Sequence, residues 1–462
     1  MDSVTSVVGP SGRWIRAASF LPFAALAAVY GPAAGHGFIA DDFRWILESR
    51  TSGLRDAAAL FSKSIGFYRP VVSLTFAADA ALFGTQPLGY GLTNLALAAL
   101  SASLLYLLLR ALSLPTGAAL FGSALWLFNP HGMNTAILWT SGRTALLLTA
   151  FALGAALAMV RGRPVWFLVC LAGALLSKEE AVTLPVILLV WRLALRGRRV
   201  APVSSLFVWI GGSLAVIAAY AILRSLSGAM TPSTAPYYYA FTSDPRLIAR
   251  NVFEYLDRAA TLPAGVTALA LLLMRPASRT PLISTPILIC GLAWLAGGYA
   301  ITVFLPIRSS LYACYPSIGA CLIAADVCAR RWTAADDRSR ARAAAAGIVV
   351  TIVLAALVYV RSRDFVANAE FSTSTLRDLV DLTKDVPSES TVVIEDDRGR
   401  RPNLESAFGA SLGDAYLLAA GRRLQFWIDP PSHDASAAGL TPPCEACVRL
   451  RLAVAGGHLI RH

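Results

Sequence analysis

The sequence predicts a mainly α-helical, polytopic membrane protein of about eleven spans that ends in a small extracytoplasmic α/β domain. Three observations carry this reading. Of 462 residues, 56% are hydrophobic and 15% charged, against about 25% charged in soluble domains, and mean hydropathy is +0.59. Apolar stretches near bilayer length recur from residue 17 to residue 361, each long enough, or nearly so, to cross hydrocarbon as a helix. Beyond Arg361 the chain turns polar and mixed in charge.

In chain order the expected spans are roughly 17–34, 88–110, 116–130, 137–160, 164–178, 180–195, 203–226, 260–274, 283–304, 310–329 and 343–361. Residues 11–34 also carry the outline of a signal peptide, with Arg13 and Arg16 before the apolar run and Ala33-Ala34-Gly35 after it. That run is long for a signal peptide, so it is read as the first span. The stretch from Pro70 to Gly84 is apolar but holds Asp79, which suits an interfacial or re-entrant helix better than a span.

Short loops dense in arginine set the orientation. With the N-terminus inside, the inner loops carry Arg13, Arg16, Arg110, Arg161, Arg163, Arg192, Arg196, Arg198, Arg199, Arg275, Arg330, Arg331, Arg338, Arg340 and Arg342, as the positive-inside rule requires. The long loops 36–69 and 227–259 then lie outside. The formal charge of +12 is spread over these clusters and forms no stripe or tail, so nucleic acid is not an expected partner. A bacterial inner membrane is the expected location.

The tail divides from the bundle near Arg361, giving a membrane domain 1–362 and a soluble domain 363–462. Within the tail, Thr375–Asp385 has helical amphipathicity and Ala407–Ala420 a helical pattern, while Ser390–Ile394, Leu424–Ile428 and Val448–Val454 read as strands. Of seven cysteines, Cys170, Cys290, Cys314, Cys321 and Cys328 fall in or beside apolar stretches as small core residues. Cys444 and Cys447 form a lone Cys-x-x-Cys, a weak zinc signal that reads better as a local disulfide in an outer tail.

The polar residues at the outer ends of the spans carry the functional signal. Asp41-Asp42 follows the first apolar stretch within Gly35-His36-Gly37-Phe38-Ile39-Ala40-Asp41-Asp42-Phe43. An acidic pair at the mouth of a membrane helix is costly unless it faces water or a polar cavity. After it come Tyr68-Arg69-Pro70, then Phe83-Gly84, Pro87, Gly89-Tyr90 and Asn94. Asn129-Pro130-His131 with Trp139-Thr140-Ser141-Gly142-Arg143 follows, then Ser177-Lys178-Glu179-Glu180-Ala181, and last Leu305-Pro306-Ile307-Arg308 with Tyr312. In this order, over roughly residues 30–320, the series resembles the GT-C superfamily of membrane glycosyltransferases. The branch it is most similar to is that of O-mannosyltransferase-like, TMTC-related bacterial proteins, here without their TPR repeats. It departs from that pattern at Gly91, where many relatives have His, at Asn134 and Thr135, where a Glu is usual, and at Leu311, where Arg is common.

The resemblance implies a GT-C-like fold, a polyprenyl-phosphate sugar donor, and transfer of a hexose or pentose on the extracytoplasmic face. The residues make chemical sense of that. Glycosyl transfer needs a base for the acceptor hydroxyl and cations for the departing phosphate. Asp41 or Asp42 is the expected base, the other orienting substrate or, with its partner, holding a Mg²⁺ or Mn²⁺ ion. Lys178, Arg69, Arg143 and Arg308 are the expected phosphate-side cations, with Glu179, His131 and Tyr68 beside them. The aromatic and charged residues of 227–259, among them Pro236-Tyr237-Tyr238-Tyr239, suggest a loop that orders over the substrate. Two other functions fit the same features: a flippase or transporter for a lipid-linked sugar, and a GT-C-like membrane protein without catalysis. Against a transporter, no internal repeat is visible. The acceptor is a glycan, a lipid or a protein hydroxyl.

Overall fold

The computed structural model describes residues 22–196, 206–231, 236, 239–274, 281–396, 399, 401–430 and 448–461. Arg13, Arg16, Arg198, Arg199, Tyr237, Tyr238, Arg275, Cys444 and Cys447 lie outside the described residues. The protein is a helix bundle with a small C-terminal sheet, the fold class expected. Six described helices are long and apolar enough to cross a membrane: those within Pro87–Ala111, Thr140–Val160, Phe207–Leu226, Pro245–Leu273, Thr285–Phe304 and Asp337–Leu382. Shorter apolar helices at Pro22–Ala33, Pro70–Phe83, Thr116–Leu127 and Pro164–Leu175 accompany them, close to the expected number.

The helices are α1 (Pro22–Ala33), α2 (Asp42–Glu48), α3 (Leu54–Ala59), α4 (Pro70–Phe83), α5 (Pro87–Ala111), α6 (Thr116–Leu127), α7 (Gly132–Leu138), α8 (Arg143–Val160), α9 (Pro164–Leu175), α10 (Leu184–Ala194), α11 (Leu206–Leu226), α12 (Pro245–Leu273), α13 (Thr285–Tyr299), α14 (Ser317–Ala334) and α15 (Asp337–Leu382). Proline opens α4, α5 and α9 at the first turn, where its missing N–H costs nothing. Helix α8 is buried on almost every side and packs between α5 and α9. Buried indoles tie helices to neighbouring backbone: Trp126 Nε1 donates to the Cys314 carbonyl at 2.9 Å, Trp191 Nε1 to Cys290 at 2.8 Å and Trp294 Nε1 to Tyr315 at 3.0 Å. Unpaired, each N–H would carry a full desolvation penalty. Cys290, Cys314 and Cys321 are buried thiols in this core.

Two segments differ from expectation. Residues 245–259, read as outer loop, form one helix with the span 260–274. The Asp244 side chain caps it by accepting from the Arg246 N–H, Pro245 starts it, and Arg250, Glu254 and Arg258 pair at four-residue spacing, which supports a helix too polar to show as a span. Helix α15 likewise runs unbroken from the span at 343–361 through the amphipathic segment that begins at Thr375.

In the tail, β1 (Thr391–Glu395), β2 (Gln425–Asp429), β3 (Val448–Ala455) and β4 (His458–Arg461) form a sheet of order β2-β1-β3-β4. Strand β1 pairs in parallel with β2 and β3, and β3 with β4 antiparallel. Strand β4 was not foreseen; Gly456 and Gly457, both at positive φ, make the tight turn into it. The helix expected over 407–420 is two, α16 (Leu404–Phe408) and α17 (Leu412–Ala420), broken at Gly409 where φ is 51°.

Candidate active site

The loop after α1 does not stand free of the rest of the molecule. Phe38, Phe43, Trp45 and Ile46 share one hydrophobic core with Phe76 and Tyr90 and with Phe371, Val392, Ile394, Phe408 and Tyr416 of the C-terminal region. Phe43 stacks on Phe408 with centroids 5.8 Å apart. Just before the acids, Ala40 takes a positive φ of 48°, which costs a non-glycine residue roughly 1–2 kcal/mol. Its N–H donates to the Ala407 carbonyl at 2.8 Å, so the C-terminal region holds the loop in that conformation.

The two acids diverge sharply. Asp42 is fully buried. Its Oδ1 accepts from the Ser141 N–H at 2.7 Å and the Ser141 hydroxyl at 2.5 Å, and its Oδ2 from the Ile39 N–H at 3.1 Å. Burial pushes its carboxyl up to about 6, although these hydrogen bonds pull it down. Asp42 therefore clamps α2 to the turn that begins α8. Asp41 starts α2, makes no cap bond with its side chain and keeps an exposed surface. Burial raises its carboxyl above the ordinary carboxylate range, against the pull of Arg69 and Arg44. Among the described residues, Asp41 is the carboxylate of the pair with open coordination.

Most expected phosphate-side cations are already paired. Arg69 grips Glu179 with two bonds, Nε to Oε2 at 2.9 Å and a terminal nitrogen to Oε1 at 2.6 Å. Burial works to raise the Glu179 carboxyl, and the adjoining Arg69 guanidinium outweighs it and holds it well below the usual range. Lys178 Nζ lies 2.7 Å from Glu180 Oε1, with side-chain exposures of 5% and 8%. Arg143 is fully buried: it sits 2.6 Å from Asp79 Oδ2, donates to Asn94 Oδ1 at 3.2 Å, and lies over the Phe76 ring. That is a structural ion pair between α4 and α8, out of reach of a ligand. Asn94 completes it by pointing its amide at the carbonyls that end α7, Trp139 at 3.1 Å and Ile137 at 3.2 Å. Tyr68 is buried with its hydroxyl on the Phe61 carbonyl at 2.8 Å, a packing role. His131 precedes α7; Arg361 donates to its Nδ1 at 3.2 Å, and burial together with that guanidinium holds the imidazole below its usual range.

Arg308 belongs to a different arrangement. It bonds Glu254 Oε1, which also accepts from Arg250 Nε at 2.9 Å, while Arg258 reaches Oε2 at 3.4 Å. Three guanidiniums share one carboxylate, so the four residues carry a net +2 (three positive, one negative). Arg258 also has a buried terminal nitrogen without a partner among the described residues. Beside the cluster on α12, Phe253 is 75% exposed, and Val252 and Leu256 are exposed too. Arg258 escaped the sequence reading, and Arg250 and Glu254 entered it only among the charged residues of the loop 227–259; their four-residue spacing was the available signal. His36, also passed over, lies 2.7 Å from both the Gly37 and Leu138 carbonyls and ties the loop to the end of α7. Gly91 is explained by close approach: a Cβ there would collide with the Ala34 carbonyl.

These groups form a connected series. Asp41 lies within electrostatic reach of Arg69, and Arg69 of Glu179 and Glu180. Lys178 sits over the Tyr312 ring, 5.0 Å from its centroid. Tyr312 packs edge-on against Tyr255 at 6.1 Å, and Tyr255 borders Arg258 and Arg308. Among the described residues no group of three or more His, Cys, Asp or Glu side chains converges to hold a metal. With both Asp42 oxygens engaged, Asp41 alone of the pair has the open oxygens a divalent cation requires. The donor set thus does not fit a protein-built cation cage.

No protein-family model matches the sequence, and no curated protein matches it. Solved structures similar over nearly the whole chain include two of one protein. ArnT from Cupriavidus metallidurans bound to undecaprenyl phosphate shares 13% identity at a TM-score of 0.56, over 93% of this chain and 88% of that one. ArnT from the same organism in the apo state shares 14% at 0.52, over 95% and 89%. At such identity the likeness shows a shared overall fold.

Proposed function

We propose that this protein is a membrane glycosyltransferase that moves a hexose or pentose from a polyprenyl-phosphate donor to an acceptor hydroxyl. The face used is extracytoplasmic, in a bacterial inner membrane with the N-terminus inside. The observation that carries the reading is the split of charge along one series of residues. A raised, unengaged carboxylate, Asp41, stands at one end. A cluster with two surplus positive charges, Arg250, Arg258 and Arg308 about Glu254, stands at the other, beside exposed apolar side chains. A dianionic leaving phosphate on an apolar tail matches the second end, and a base of raised pKa suits the first. The undecaprenyl phosphate bound to ArnT is a ligand of that chemical class. The O-mannosyltransferase-like reading of the motifs names the finer branch.

In this mechanism Asp41 takes the acceptor hydroxyl proton as that oxygen bonds to the anomeric carbon. The bond from that carbon to the phosphate oxygen breaks, and its electron pair leaves with the phosphate, held by Arg258 and Arg308. Asp42 does not meet substrate; through Ser141 and Ile39 it fixes where Asp41 stands.

The test is transfer from radiolabelled polyprenyl-phosphate sugars in membranes carrying wild type, Asp41→Asn or Asp42→Asn. Transfer by wild type and its loss in Asp41→Asn is the expected result. Transfer that survives Asp41→Asn sinks the proposed base. Lipid-linked sugar moved across the bilayer with no transfer from any donor would favour a flippase.

A further inference from the structure

Between the two ends of the series lies a polar pair that neither the base nor the phosphate uses. Glu180 sits in the short 3-10 turn Glu179–Thr183, ahead of α10. Its side chain is 8% exposed and its Oε1 is held by Lys178 at 2.7 Å. Among the described residues its Oε2 is buried without a hydrogen-bond partner, and so is the hydroxyl of Tyr315, a residue within electrostatic reach of the same carboxylate. An unpaired oxygen on a buried carboxylate is costly in a folded chain, and a bound donor would relieve that cost. A lysine-neutralised carboxylate has no net charge to offer a phosphate. It is instead a strong acceptor for neutral O–H donors. Aromatic surface adjoins it: Lys178 lies over Tyr312, and Tyr312 packs against Tyr255, which stacks on Tyr299 at 5.0 Å. A carboxylate acceptor beside an aromatic face is the pairing that reads a pyranose or furanose, hydroxyls on one side and C–H groups on the other.

We propose that Glu180, oriented by Lys178, is the specificity-determining residue for the transferred sugar, its Oε2 accepting from a ring hydroxyl while Tyr312 supplies the apolar face. This rests on the reading of the protein as a polyprenyl-phosphate sugar transferase. It makes Glu180 a reader of the sugar and leaves the phosphate to Arg258 and Arg308.

The test measures binding as well as turnover, so that the two readings fail separately. Purified protein is titrated with polyprenyl phosphate, with its monosaccharide esters, and with esters lacking one hydroxyl in turn. For wild type, the loss of one particular hydroxyl is expected to weaken binding about 10- to 100-fold, the worth of a hydrogen bond to a charged group. In Glu180→Gln that same loss is expected to cost less than about threefold, with affinity for bare polyprenyl phosphate unchanged. Lys178→Met with Glu180→Gln, which leaves no unpaired buried charge, repeats the comparison if the single variant folds poorly. Equal hydroxyl dependence in wild type and variants overturns the proposal while leaving the transferase reading intact. Wild type that binds sugar esters no better than bare polyprenyl phosphate overturns the proposal too, and failure to bind any of these lipids overturns both.

Discussion

The acid end and the cation end of the series are built in opposite ways. Asp41 is placed by a strained loop that the C-terminal region clamps, through Ala40 to Ala407 and Phe43 on Phe408. Two of the three cations about Glu254, Arg250 and Arg258, are placed by one continuous helix, α12, through its own four-residue spacing, and Arg308 joins them from the loop after α13. Long-range packing supports the first, local periodicity the second. The difference teaches where substitution does damage: the acid end is vulnerable at residues far from it, and the cation end mainly at the arginines themselves.

The sharpest way to break this contrast is at Asp41. Asp41→Asn is expected to lower transfer by about 10²–10⁴-fold, the usual worth of a positioned base, with thermal stability near wild type because its side chain makes no cap bond. A larger activity loss in Asp42→Asn at equal folding would reverse the two roles. Next comes the buried pair. Arg143→Met should destabilise the protein by about 3–5 kcal/mol, since Asp79 is left buried without its partner. Its affinity for polyprenyl phosphate per folded molecule should stay unchanged. Arg258→Met with Arg308→Met should do the converse, weakening that affinity roughly 10- to 100-fold, with a flatter salt dependence than wild type. Both are read by titrating folded protein in detergent and following its melting.

Asp42 allows a pH test of the clamp. Its folded pKa of about 6 lies above the unfolded carboxylate value, so its contribution is greatest when it is protonated. Stability should fall as pH rises from about 4 through about 6, by on the order of 3 kcal/mol in all. The difference between wild type and Asp42→Asn across that window isolates the group. No difference in slope would mean that Asp42 ionises as freely as an exposed acid.

Much of this was legible in the sequence, and the failures share a cause. The spans, the strands β1 to β3 and the Asp41-Asp42 pair announce themselves through local hydropathy and alternation. The partners of the cations do not. Nothing local to Arg143 indicates Asp79, and nothing near Arg69 indicates Glu179; those pairs are made when α4 meets α8 and the turn before α10. Nor does the adjacency of two acids reveal that one faces Ser141 and the other is unengaged. Two misses were avoidable. Arg250-x-x-x-Glu254-x-x-x-Arg258 carries a helical period through what looked like loop, and Gly456-Gly457 is a hairpin turn in plain view.

The finest probe of the contrast is Phe408, which touches neither substrate nor acid. Its ring stacks on Phe43 at an interplanar angle of 27°, next to the Ala407 carbonyl that holds Ala40. A paired aromatic contact of this kind is worth about 0.5–1.5 kcal/mol beyond the area it buries. Phe408→Leu keeps most of the volume and loses the stack, so the fold should survive with a modest fall in melting temperature. If the C-terminal domain positions Asp41, kcat should drop about two- to tenfold while KM for the lipid donor stays constant, because the cations on α12 do not depend on this contact. Phe43→Leu should behave the same way, and the double variant should cost less than the two single losses added together. A change in KM without a change in kcat would place the domain over the donor instead of behind the base.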